Sequence, residues 1–130
     1  MKELDIRVPV CSMGYDELDD DTRRLVDTAR EYTHHSYAPY SHFSVGAAIR
    51  LDNGEIVPGA NQENAAYPSG TCAGSEIRQP VAPCGACRQA LLEYEKLAGH
   101  DVEVYLVGSE CIYRIPSVKA LLPLAFSDFE

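Results

Sequence analysis

The order of elements along the chain predicts a single α/β domain over residues 1–130, with helices packed on a sheet. Three observations carry this. A stripe of apolar residues at helical spacing comes first, then two apolar runs split by a turn signal, then a second helix followed by two more apolar runs. With 130 residues and 45% apolar content, the chain is long enough to bury a core. No run of 18 apolar residues occurs, so no transmembrane helix is expected.

Each element has its own reason. Leu18, Thr22, Leu25, Val26, Ala29 and Thr33 recur at helical spacing. Asp19, Asp20 and Asp21 sit where a helix N-terminus favours negative charge. This predicts a helix starting within Tyr15–Asp21 and running to about His35, with Pro39 as its stop. Val45 to Leu51 and Ile56-Val57 flank Asp52-Asn53-Gly54, a β-hairpin signal, and Pro58-Gly59 ends the second run. Gln89 to Leu97 reads as a helix closed by Gly99. Val102 to Val107 reads as a buried strand and Cys111 to Ile115 as a shorter one. Ser117 is placed to cap a short closing helix through Leu121 and Leu122, which Pro123 ends. Between Ala60 and Pro83 no strand and no helix of usual length is evident. So long a structureless stretch in a compact domain is either a functional loop or the mark of a missing element.

Composition narrows the function. Lys and Arg number 11 against 20 Asp and Glu, a net charge of -9, and no basic stripe is present. This argues against a nucleic-acid partner and fits a small, neutral or cationic ligand. Five unevenly spaced cysteines make a poor disulfide framework and suit a reducing compartment, so a cytoplasmic location is expected. Met1 to Val10 carries charge but no apolar core, so no secretory signal is read there. His34 and His35 fall at a helix end, where the dipole favours them, and are read as structural rather than as ligands.

The strongest motif is Pro83-Cys84-Gly85-Ala86-Cys87-Arg88-Gln89. Two thiols three residues apart at the mouth of a helix can face one tetrahedral metal. The helix N-terminus also favours the thiolate, the form that binds zinc. With a third ligand and an open fourth position, such a metal is catalytic rather than structural. The plain alternative is a pair of buried core thiols.

More blocks follow the same order. They are Pro39-Tyr40-Ser41-His42-Phe43-Ser44-Val45-Gly46-Ala47-Ala48, Asn61-Gln62-Glu63-Asn64-Ala65-Ala66-Tyr67, Thr71-Cys72-Ala73, and Leu121-Leu122-Pro123. With them, from about Ala38 to Phe126, the chain resembles the small, homotetrameric, zinc-dependent cytidine deaminases. The resemblance implies a three-layer α/β fold, a mixed sheet with helices on both faces. It implies Cys72, Cys84 and Cys87 as Zn2+ ligands, with water in the fourth position and a glutamate that shuttles protons without touching the metal. Arg88 is then expected to offset thiolate charge by hydrogen bonding, with Gln89 helping to orient the site. Asn61 and Glu63 would bind the ribose hydroxyls, Phe43 would pack on the nucleoside, and the Ala73 N–H would read the pyrimidine edge. Tyr67 and Phe126 would reach a neighbouring subunit's site in a homotetramer.

One departure bears on activity. The family places a glutamate directly after the Cys-Ala pair, whereas Cys72-Ala73 is followed here by Gly74 and Ser75. The helix that should carry that glutamate, and the strand after it, are not evident. Roughly 30 residues are expected to be missing, enough for one helix and one strand. On a helix begun at Cys72, Glu76 would lie two positions past the required one, roughly 200° round and on the far face, so it is not assigned the role. Glu76 to Val81 reads as a normal lead-in to the zinc motif, so both flanks of the junction are intact. That fits loss of a block better than gradual decay.

The expected function is hydrolytic deamination of cytidine and deoxycytidine to the uridine forms in pyrimidine salvage, with ammonia released. The 130-residue chain, without the glutamate, is expected to turn over little or not at all. Two alternatives stay open. A blasticidin-S-type deaminase shares the zinc blocks, though the Asn61/Glu63 pair favours a ribose. A non-catalytic zinc-binding or oligomerisation relative fits the missing glutamate.

Overall fold

Helix α1 (Asp20–Tyr32) organises the N-terminal half of the computed structural model, which describes residues 1–39, 44–62, 79–80, 82–83 and 85–125, with only the backbone of Ala86. Its start is set by Asp19, whose Oδ1 accepts the N–H of Thr22 at 2.8 Å and so satisfies one orphan donor of the first turn. A short 3-10 turn, Tyr15–Glu17, precedes it, with the Gly14 N–H donating to Glu17 Oε1. Another, Thr33–His35, continues it to the predicted end. The expected helix is thus one α-helix with a tighter turn at each side.

The strands are β1 (Cys11–Met13), β2 (Gly46–Arg50), β3 (Ile56–Ala60), β4 (Val104–Val107) and β5 (Ile112–Ile115). β2 and β3 form the predicted hairpin, in a register that pairs Ala47 with Gly59 and Ile49 with Val57. β1, β5 and β4 form a second antiparallel sheet in that order. β1 has no signal in the sequence. Three residues are too few to show alternation, and it becomes a strand by pairing with Ile112 to Arg114.

Among the described residues the two sheets are separate, and the one parallel pairing is the bridge between Tyr37 and Gln62. β2 and β3 precede the point in the sequence where a strand is expected to be missing, and β4 and β5 follow it. α1 touches both sheets. Leu18 and Val26 pack on Ile112 in the core, with Met13, Tyr15, Tyr105 and Val107 around them. The other side of α1 rests on the hairpin, where its backbone leaves no room for a side chain at Gly46.

Helix α2 (Gly85–Ala98) begins four residues before the predicted start, so Cys87 lies inside its first turn. It ends at Gly99, whose φ of +75° is cheap only for glycine and whose N–H returns to the carbonyls of Glu95 and Lys96. Leu92 and Glu95 are buried, whereas Tyr94 and Leu97 are 71% and 81% exposed. The closing element is the 3-10 turn Val118–Leu121.

Candidate metal centre

Two elements carry the described part of the site. The first is the end of β3. Asn61 is 6% exposed and is locked in place by backbone and side chain together. Its Oδ1 accepts the Val45 N–H at 2.8 Å, its own N–H donates to Val45 O, and its carbonyl accepts the Tyr37 N–H. Gln62 Nε2 donates to His35 O, which ties the next residue to the end of the α1 region. The Val45 donor fixes the orientation of the Asn61 amide, with the oxygen facing Val45 and the NH2 facing away.

The second element is the start of α2. Cys87 is half-buried in the first turn, where the helix dipole favours a thiolate. Cys84 immediately precedes that turn in sequence. Arg88 Nε donates to Pro83 O at 2.6 Å and Nη1 donates to Leu121 O at 2.8 Å. These two bonds go to backbone carbonyls, which makes Arg88 a brace for the turn ahead of the helix. Gln89 is half-buried beside it.

Phe43, Glu63, Tyr67, Cys72, Ala73, Cys84 and Phe126 lie outside the described residues, as do His42 and Glu76. Among the described residues no three His, Cys, Asp or Glu side chains converge on a point. The placement of Cys87 nonetheless suits zinc. A soft thiolate donor at a helix N-terminus, with a second thiol three residues earlier in the sequence, is the donor chemistry that metal prefers.

Sequence reasoning missed one residue here. Glu95 reads as an ordinary solvated helix charge, yet it is 5% exposed and accepts three backbone N–H groups. Nothing in the local sequence marks it, because its partners are 7, 23 and 24 residues further on. Away from the site, contacts displace the pKa values of three side chains. The hydrogen bond to Asp27 raises Tyr15, burial raises Tyr105, and hydrogen bonds from Thr22 lower Asp19.

Comparison with known proteins follows the same lines. The family model for the cytidine and deoxycytidylate deaminase zinc-binding region matches residues 5–71, ending one residue before Cys72. A cytidine deaminase of Halalkalibacterium halodurans is 34% identical, over 82% of this chain and 95% of its own length. One from Sporosarcina psychrophila is 32% identical over 82% and 92%. Among solved structures, the cytidine deaminase of Burkholderia pseudomallei superposes with a TM-score of 0.70 at 34% identity, covering 80% of this chain and 98% of that one. The H. halodurans alignment has 128 positions but takes in 82% of 130 residues, about 107, so about 21 positions of that relative face no residue here. The same count against a probable cytidine deaminase of Dictyostelium discoideum, 137 positions against 88%, gives about 23. Relatives therefore carry residues that this chain lacks, somewhat fewer than the 30 expected.

Proposed function

Because the chain belongs to the cytidine deaminase family, we propose that it binds Zn2+ through Cys72, Cys84 and Cys87 and holds a cytosine nucleoside for hydrolytic deamination. The family's chemistry is zinc-dependent hydrolysis of cytidine, and zinc, when bound, supplies Lewis-acid activation of water. The rest falls to the chain's own residues. The first turn of α2 favours the thiolate form of Cys87, and Arg88 braces the carbonyl of Pro83 ahead of the helix. Asn61 binds a ribose hydroxyl from a side chain whose orientation the Val45 N–H fixes. Glu63 completes the ribose pair, Phe43 packs on the nucleoside, and the Ala73 N–H reads the base edge. Tyr67 and Phe126 complete a neighbour's site in a homotetramer that works in cytoplasmic pyrimidine salvage. No helix among the described residues is long and apolar enough to cross a membrane.

The observation that carries this reading is the braced turn Pro83–Arg88, with Cys87 in the first turn of α2. The missing block limits it. The proton-shuttling glutamate falls with the segment after Ala73, so the 130-residue chain binds metal and nucleoside but turns over weakly.

Two measurements test this. Zinc analysis should find one ion per chain, lost in Cys87→Ser. Ammonia release from cytidine should sit near background and rise when about 21 residues of a relative, bearing the glutamate, are inserted after Ala73. A zinc-free wild-type protein would overturn the metal reading. Ammonia release that is already high and unchanged by the insertion would overturn the account of the missing block. Assaying blasticidin S beside cytidine separates the two substrates.

A further inference from the structure

Arg88 and Glu95 stand two turns apart on α2 and hold the same closing turn from opposite ends. Glu95 Oε2 accepts the N–H of Val102 at 2.8 Å and of Val118 at 2.7 Å, and Oε1 accepts the N–H of Lys119 at 3.2 Å. Ser117, at the cap position of the turn, makes no side-chain cap bond. The Glu95 carboxylate therefore satisfies the orphan N–H groups that a cap would otherwise take. At the far end of the turn, Leu121 O accepts from Arg88 Nη1, while Arg88 Nε reaches Pro83 O. Pro83 precedes Cys84 and Arg88 follows Cys87. A continuous path thus runs from a buried carboxylate, through a four-residue turn and a guanidinium, to Pro83 and to the first turn of α2 that carries Cys87.

We infer that Glu95 is a positioning residue for the metal half-site. It fixes Val118–Leu121, the turn fixes Arg88, and Arg88 ties Pro83 to the first turn of α2 that holds Cys87. The inference rests on the metal reading of Cys84 and Cys87. Its mechanism is mechanical rather than electrostatic. Eight residues along a helix separate Glu95 from Cys87, about 12 Å at 1.5 Å per residue, so the carboxylate acts through the contacts between them and not by touching the thiol. A guanidinium gripped at two points is a rigid planar brace, and one that loses Leu121 O keeps a single anchor on a long flexible stem. Nearby charge does not replace the clamp, since Lys119 Nζ pairs with Asp101 at 3.2 Å.

Hydrogen exchange and chelator competition on Glu95→Gln test this. The variant keeps the shape but presents an N–H2 to backbone donors. In zinc-free protein, exchange should rise about tenfold at Val118–Leu121. It should rise similarly at Gln89, Ala90 and Leu91, whose acceptors are the carbonyls of Gly85 to Cys87. In loaded protein, a chelator should strip zinc about tenfold more readily, the low end of what losing an outer partner costs. Leu18→Ala, which weakens the core away from α2, should leave both readouts at the start of α2 unchanged. Loosening at 118–121 without loosening at 89–91 would overturn the inference. The zinc-free exchange decides it even if the wild-type protein holds no zinc, an outcome that would sink only the metal reading. Should Glu95→Gln fail to fold, Arg88→Lys serves instead. It should loosen 89–91 and leave 118–121 protected, and unchanged exchange at 89–91 would again overturn the inference.

Discussion

Gly46 has less room than Gly14, Gly54, Gly59, Gly85 or Gly99. A Cβ there would lie 1.8 Å from Ala29 O and 2.7 Å from Thr33 N, both backbone atoms of the α1 region that cannot swing aside. Gly46→Ala should therefore destabilise by about 3 kcal/mol, the upper part of the usual overpacking range, as read by urea unfolding. Asn61 separates a structural role from a binding one. Asn61→Ala would strand the buried Val45 N–H at a cost of about 1–3 kcal/mol. Asn61→Asp keeps the acceptor for Val45 but loses the NH2, so nucleoside affinity should fall, as titration with cytidine would read. Asp19 brings a pH dependence. Hydrogen bonds from Thr22 hold its carboxyl below the ordinary value, so its contribution is present above that value and is lost as the pH falls through the lower folded one. The melting-temperature gap between wild type and Asp19→Ala should narrow in that acid window. Asp19 was legible in the sequence as a helix-start residue. The clash at Gly46 was not, because the two chain segments that meet there are 13 to 17 residues apart.

The hairpin and α2 show what patterning does and does not say about an element. Two apolar runs around a turn located β2 and β3, but β3 continues through Pro58 and Gly59 to Ala60 because both pair with β2, and both faces of the hairpin are apolar. Ala48, Ile56 and Pro58 face inward and are half-buried, while Ala47, Ile49, Val57 and Gly59 stay exposed. Ile49 is 54% exposed although it sits in an apolar run, so which face meets α1 is a packing outcome rather than a sequence property. Ile49→Thr and Val57→Thr should shift stability by no more than about 0.5 kcal/mol, against about 2–5 kcal/mol for Ile115→Ala in the core. Denaturant titration of the three variants checks the ranking. For α2, the helix-forming run was readable from Gln89 onward. The first turn was not, because Gly85 is a poor helix former and is recruited by the turn that Arg88 braces. Glu95 shows the same limit, since its burial depends on a turn more than 20 residues away.

For the molecule as a whole, charge and metal set the expectations. A net charge of -9 leaves the chain poorly suited to a phosphate backbone, and raising salt should not alter nucleoside binding steeply. Ligand linkage predicts that zinc at 100 times its dissociation constant adds about 2.7 kcal/mol, so a chelator should lower the melting temperature and added zinc should restore it. An unchanged melting temperature would count against a metal-holding chain. The separation into two sheets belongs to this scale as well. Among the described residues α1 is what spans both, packing on β2 and β3 on one side and on Ile112 of β5 on the other.

By itself the sequence determined the class of the molecule, the order of its main elements and the chemistry of its site. Those rest on local signals: helical spacing from Leu18 to Thr33, a turn at Asp52-Asn53-Gly54, and a CxxC at a helix mouth. Only the tertiary structure decided what holds that helix mouth in place. Contacts such as Glu95 with Val118, or Arg88 with Leu121, join residues 23 and 33 positions apart. No local pattern encodes them, because they come into being when α2 and the closing turn pack together.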